Sequence, residues 1–141
     1  MQIRSAITHD ADAIAKLCAQ LGYPTTVSAV RQRLEQIQTA QNHIVYVAEC
    51  PNIRVIGWVH AYFIQLLLTD LQVEIGGLVV DENYRGTGIG RQLLLQVEQW
   101  ASQHGCKCIY VRSNIIRKAY VFYEKLGYRY IKTSLAFRKD L

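Results

Sequence analysis

Hydrophobic and polar positions alternate with a period of two at Ile3, Ser5 and Ile7, which predicts a first strand. Thr8 is placed to cap a helix whose first turn contains Asp10 and Asp12. Ile14, Leu17, Cys18 and Leu21 then recur at helical spacing until Gly22 and Tyr23-Pro24 end the element. A second helix starts near Thr25 or Thr26, with Val30, Leu34 and Ile37 on one face and Arg31, Arg33 and Glu35 off it. The period returns to two over residues 44–49 and 55–65, and Pro51-Asn52 between them predicts a hairpin turn. In the second of these strands Ile56, Trp58, His60, Tyr62 and Ile64 share one face, and Val55, Val59, Ala61 and Phe63 share the other. Both faces are largely apolar, so this strand is expected at the centre of a sheet covered on both sides.

A β-branched apolar segment, residues 75–80, stops at Asp81, a basic glycine loop follows, and a helical pattern starts at once. That helix is expected to bury Ile89, Leu93, Val97, Trp100 and Ala101 and to show Gln92, Gln96, Gln99 and Gln103 to water. His104-Gly105 ends it, residues 107–112 read as a strand, and Ala119, Phe122, Tyr123 and Leu126 mark a helix stopped by Gly127. A last strand is expected over residues 128–138. The predicted order is β-α-α-β-β-β-α-β-α-β, an α/β (α+β) fold with a central mixed, mostly antiparallel sheet flanked by helices. Helices between the later strands call for parallel crossovers, while the middle strands form an antiparallel meander.

The length of 141 residues, half of them apolar, predicts a single domain over residues 1–141 with a real core. No apolar run approaches the roughly twenty residues of a membrane span, and Met1-Gln2-Ile3-Arg4 reads as a strand instead of a signal segment. A soluble, cytoplasmic protein with no membrane partner is the expectation. Charge is unevenly shared: residues 1–80 carry −1 and residues 81–141 carry +6 of the overall +5. A polyanionic ligand would be steered to the basic half, which holds the glycine loop. A nucleic-acid partner is not expected, because the cations are dispersed and no binding motif is present. Cys106 and Cys108 lack zinc-site spacing; the pair is expected to pack as small apolar side chains, reduced, with no metal.

Chemistry concentrates in the glycine loop. Gly86, Gly88 and Gly90 carry no Cβ, so the backbone can take positive φ and approach a ligand closely. The loop opens directly into a helix, whose unpaired N–H groups and dipole attract phosphate. Arg85 and Arg91 flank it with full positive charges suited to phosphate oxygens. The inference is a diphosphate cradle. A P-loop is excluded because no Lys follows a glycine at the required place, and a dinucleotide fingerprint because the sixth position is Arg91 or Leu93.

The remaining pattern, Arg85-Gly86-Thr87-Gly88-Ile89-Gly90 after a strand and Tyr84, resembles the GNAT superfamily of N-acetyltransferases. A second stretch, Asn114 and Ala119 through Phe122-Tyr123-Glu124-Lys125-Leu126-Gly127-Tyr128, resembles the other signature of that superfamily, with the Asn-to-Ala spacing stretched by comparison. The resemblance implies a single GNAT-like domain that transfers acetyl from acetyl-CoA, as cosubstrate, directly to a primary amine of a small-molecule or peptide acceptor, possible homodimerisation included. It implies that Arg85, Gly86, Thr87, Gly88, Ile89, Gly90 and Arg91 hold the pyrophosphate. It further implies that the backbone of Leu78, Val79 and Val80, with Asn114, contacts the pantetheine arm, and that Tyr123 lies at the thioester as general acid. A phenol near pKa ten is protonated at neutral pH and suits that role. Glu74 matches a catalytic glutamate of some relatives, with His60, Tyr62 or an ordered water chain as alternatives for the base. The Leu78 to Val80 role needs a splayed or bulged strand, for which Gly76-Gly77 are suited. The alternative is an acyl-CoA-binding regulatory module without turnover.

Overall fold

The computed structural model describes every residue but Ile53. Two compact units divide the chain, Met1–Val111 and Arg112–Leu141. In the first, strands β1 (Gln2–Ser5), β2 (His43–Cys50), β3 (Arg54–Ile64), β4 (Gln72–Val80) and β5 (Ile109–Val111) form one sheet in that order. The first four run antiparallel to their neighbours and β5 runs parallel to β4. This is the mixed, mostly antiparallel α/β sheet read from the pattern, with β3 in the middle. Helices α1 (Ala11–Leu21) and α2 (Val27–Thr39) follow β1, and α3 (Ile89–Gln103) joins β4 to β5. The second unit contains α4 (Tyr120–Lys125).

The two faces of β3 explain the layering. From Gly57 to Phe63 the odd-numbered residues face α3: a Cβ on Gly57 would lie 3.3 Å from Leu93 Cδ1, and the Phe63 ring stacks on Trp100 of α3 at 4.3 Å. Even-numbered Trp58 packs instead against the cluster that α1 and α2 build with Ala6 and Val47. Leu93, Leu94 and Val97 are fully buried, so α3 is held by the stripe its spacing announced. α2 is capped by Thr26, whose Oγ1 accepts the Ala29 N–H at 3.0 Å, and α1 ends on Gly22 at φ 97°.

Several expectations are corrected. Entry to α1 is organised by Asp10, not Thr8: its carboxylate accepts the Ile7 N–H at 2.9 Å and two bonds from Arg4 at 2.8 and 2.9 Å. Arg4 also reaches Glu49 on β2 at 2.9 Å, tying three elements together. A carboxylate has the acceptors for both tasks and a threonine hydroxyl does not. β5 is only three residues long, so Cys106 and Cys108 precede it; Cys108 is exposed and does not pack in the core. Cys106 instead donates its backbone N–H to Ala101 at 3.0 Å, closing the end of α3. Residues 128–138 form no strand, and Tyr130, Ile131, Leu135 and Phe137 stay exposed. Alternation supplies a face but no ladder, and among the described residues the sheet pairs only β1 to β5.

Candidate active site

The glycine loop is built from the end of β4. Asp81 is buried, accepts the Asn83 N–H at 2.9 Å and lies 3.5 Å from the Arg54 guanidinium, which fixes a short 3-10 turn at Glu82–Tyr84. Gln20 of α1 accepts the Glu82 N–H at 2.9 Å and anchors the turn from the other side. Beyond it the chain takes φ 76° at Gly86 and 89° at Gly88, the left-handed region that a Cβ disfavours. Thr87 Oγ1 donates to the Tyr84 carbonyl, so its side chain braces the loop. Gly88 is the N-cap of α3, and the first helical bond, Gln92 N–H to Gly88 O, is 3.1 Å. The amides of Ile89, Gly90 and Arg91 therefore belong to the first turn, where no helical carbonyl is available to them. A Cβ on Gly86 or Gly88 would meet nothing within 4 Å, so it is the left-handed backbone and not crowding that calls for glycine at these two positions. Arg91 is exposed; Arg85 is exposed too and turns its Nε onto the Val80 carbonyl at 3.1 Å.

β4 is bulged where the glycines stand. His60 pairs with Gly77 and Ala61 with Ile75, so Gly76 is the extra residue. β5 pairs with Val73, Glu74 and Ile75, and among the described residues Gly76 to Val80 have no strand neighbour on that side. Backbone groups of Leu78, Val79 and Val80 are thus paired to β3 on one edge alone, the splayed geometry that a ligand's amides can use.

A polar and aromatic row crosses the face of β2, β3 and β4 that carries Trp58. Glu74, 9% exposed, accepts a hydrogen bond from the Tyr62 hydroxyl directly across the ladder. His43 Nδ1 and His60 Nε2 are 2.9 Å apart, with rings stacked at 5.2 Å, and His43 also stacks on Tyr62 at 5.2 Å. Burial first, and the neighbouring His43 second, push His60 down to about 4, so it is neutral at pH 7. The Trp58 ring lies over Gly77, where a Cβ would come within 2.7 Å of it, and its Nε1 is buried with no acceptor among the described residues. His43 and the open Trp58 donor were not singled out from the sequence. A register for the β2–β3 hairpin would have found His43, since it sits opposite Tyr62.

In the second unit Tyr123 lies on α4, half-buried, in edge contacts with Phe122 at 5.2 Å and Tyr128 at 5.7 Å. Burial raises its pKa, so the phenol holds its proton at neutral pH. Asn114 turns its Oδ1 onto the Ile116 N–H at 2.8 Å, a local turn that spends one of the side chain's acceptor sites.

A bulged and half-paired strand, ending in a left-handed glycine loop at a helix start, defines an α/β fold whose strand-to-helix junction carries the first-turn amides of α3. The chain belongs to the acetyltransferase (GNAT) family, whose pattern it matches over residues 11–128. It is 38% identical over 55 residues to a glucosamine 6-phosphate N-acetyltransferase of Trypanosoma brucei brucei, a match covering 39% of this chain and 36% of that protein. The chain therefore aligns with only about a third of that curated relative. Among solved structures, a transcriptional regulator from Bacillus halodurans C-125 superposes with a TM-score of 0.87 at 22% identity, covering 98% of this chain and 99% of the other. An aminoglycoside 6'-N-acetyltransferase from Acinetobacter haemolyticus does so with a TM-score of 0.85 at 18% identity, covering 100% and 99%. These structural likenesses show the fold.

Proposed function

We propose that the protein moves the acetyl group of acetyl-CoA directly onto a primary amine. The observation that carries this reading is the pair of left-handed glycines, Gly86 and Gly88, at the head of α3, within a chain of the GNAT family. Amides of residues 86–91 would hold the diphosphate of the donor, with Arg85 and Arg91 adding charge. The half-paired backbone of Leu78, Val79 and Val80 would hold the pantetheine arm, together with Asn114. The donor, when bound, supplies an activated acetyl thioester. The chain's own residues supply proton transfers: Glu74, desolvated and oriented by Tyr62, takes a proton from the incoming ammonium, and Tyr123 gives one to the departing thiolate. Tyr123 and Asn114 are assigned on their places in the motif and on their chemistry.

The acceptor class is a small-molecule amine or a peptide amine. The named activities of the relatives make glucosamine 6-phosphate and an aminoglycoside the first two to try. Free thiols at Cys18, Cys50, Cys106 and Cys108 fit a reducing, cytoplasmic setting. The test is a panel of amines assayed by release of free coenzyme A thiol. Turnover that falls with Glu74→Gln and Tyr123→Phe at unchanged donor affinity supports the assignment; donor binding with no turnover on any amine points to the binding module instead.

A further inference from the structure

Inside the polar row, the sites of proton uptake and release are distinct. His60 Nε2 is occupied by His43 Nδ1 at 2.9 Å, whereas its Nδ1 lies 2.7 Å from the place a Cβ on Gly76 would occupy. Gly76 is the exposed residue of the β4 bulge, and His60 Nδ1 has no hydrogen-bond partner among the described residues. At the far end of the pair, His43 is half-buried and lines a cleft of about 140 Å³ with Ser5, Leu34, Ile37 and Gln38, large enough to hold water. Glu74, by contrast, already accepts the Tyr62 hydroxyl. Tyr62 and Glu74 share this face, as do Tyr110, opposite Glu74 on β5, and Arg4, opposite Val47 on β1; the Tyr62 ring is 5.7 Å from that of His60.

We propose that His60 and His43 form a two-imidazole wire that takes the acceptor's second proton, the one lost as the amine freed by Glu74 attacks, at the β4 bulge and delivers it to water in the cleft beside β2. This rests on the reading that an amine acceptor attacks at this face. At rest His60 carries its proton on Nε2, donated to His43 Nδ1, and His43 carries one on Nε2. The acceptor N–H bond breaks as His60 Nδ1–H forms, the Nε2 proton of His60 passes to His43 Nδ1, and the Nε2 proton of His43 leaves to water. Both rings end neutral in the opposite tautomer, so the amine proton is removed without a buried imidazolium persisting. The wire resets when water returns a proton to His43 Nε2 and His60 releases its Nδ1 proton at the bulge. His43 is thereby a positioning and relay residue, while His60 touches the acceptor.

Two measurements decide it. Nitrogen-15 spectra of the full chain at pH 7, with no ligand, are expected to show complementary tautomers for His43 and His60 and a changed His60 pattern in His43→Gln. Rings whose tautomers are independent overturn the wire, whether or not the protein turns over. Turnover of acetyl-CoA is then followed with the better acceptor of glucosamine 6-phosphate and kanamycin. His43→Ala is expected to lose at least about tenfold in kcat with KM for acetyl-CoA unchanged, and to recover several-fold with added imidazole. A kcat within twofold of wild type, or a loss that imidazole does not restore, refutes it. If wild-type protein acetylates neither amine, the acetyltransferase reading is what fails, and the spectra still judge the pair.

Discussion

At the scale of single residues, the glycines of the bulge do more than turn the chain. Gly77 makes room for the Trp58 indole, which a Cβ would meet at 2.7 and 2.9 Å through ring atoms that are fixed in the core layer. Gly77→Ala is therefore expected to cost roughly 1–3 kcal/mol, read from the urea midpoint, as the indole is forced from its seat. Gly76→Ala sets a Cβ 2.7 Å from His60 Nδ1, in a ring that His43 holds at 2.9 Å, so it is expected to lower both stability and turnover. Tyr123→Phe is expected to lower kcat on the order of a hundredfold while leaving acetyl-CoA affinity within about twofold. A hundredfold loss of affinity with unchanged kcat would show that the phenol only packs. Tyr123, Glu74 and the loop glycines could be picked out from the sequence because a motif or a charge in an apolar strand marks them. His43 could not, because what matters in it is a partner supplied by register, Tyr62 across the ladder; Trp58 stands out on the central strand, but the Gly77 under its ring does not show in the sequence.

At the scale of elements, charge joins β1, the start of α1 and β2 through Arg4, Asp10 and Glu49. Burial pushes the Asp10 carboxyl up, but hydrogen bonds from Arg4 and the Ile7 N–H outweigh it and leave its pKa lowered. Stability from this group is full above the ordinary carboxylate range and is lost as pH falls through the lowered value. Arg4→Met strands a buried carboxylate and is expected to cost roughly 2 kcal/mol or more at pH 7, with a smaller penalty at pH 3. His60 acts in a higher window. Its folded pKa of about 4 lies below the unfolded value near 6.5, so the unfolded chain binds more protons between them and stability falls as pH drops from about 6.5 to 4. Chemical denaturation at pH 7 and pH 5 measures that slope, and His60→Gln is expected to flatten it. Helices α1, α2 and α3 were legible because their apolar stripes and glycine stops are local signals. The absent strand at residues 128–138 was not, since its sequence alternates properly and only the lack of a paired edge tells against it.

At the scale of the whole molecule, the mixed directions of the sheet and a central β3 covered on both sides follow from periodicities readable along the chain, whereas the spatial order of the strands and the helices that cover each face come from the structure. The division at Val111 does not, because it reflects how contacts gather and not how residues alternate. The uneven charge, −1 over residues 1–80 and +6 over residues 81–141, places positive potential on the half that holds the cradle. Acetyl-CoA affinity is accordingly expected to fall severalfold between 50 and 300 mM salt in calorimetry, since screening weakens steering and exposed Arg–phosphate contacts. The account rests on main-chain N–H groups at the start of α3, and an amide-resolved titration of the labelled protein with acetyl-CoA reaches them most directly. It predicts saturable, one-to-one shifts concentrated in residues 86–91 and 78–80. Amides there that stay unmoved at millimolar acetyl-CoA would contradict it.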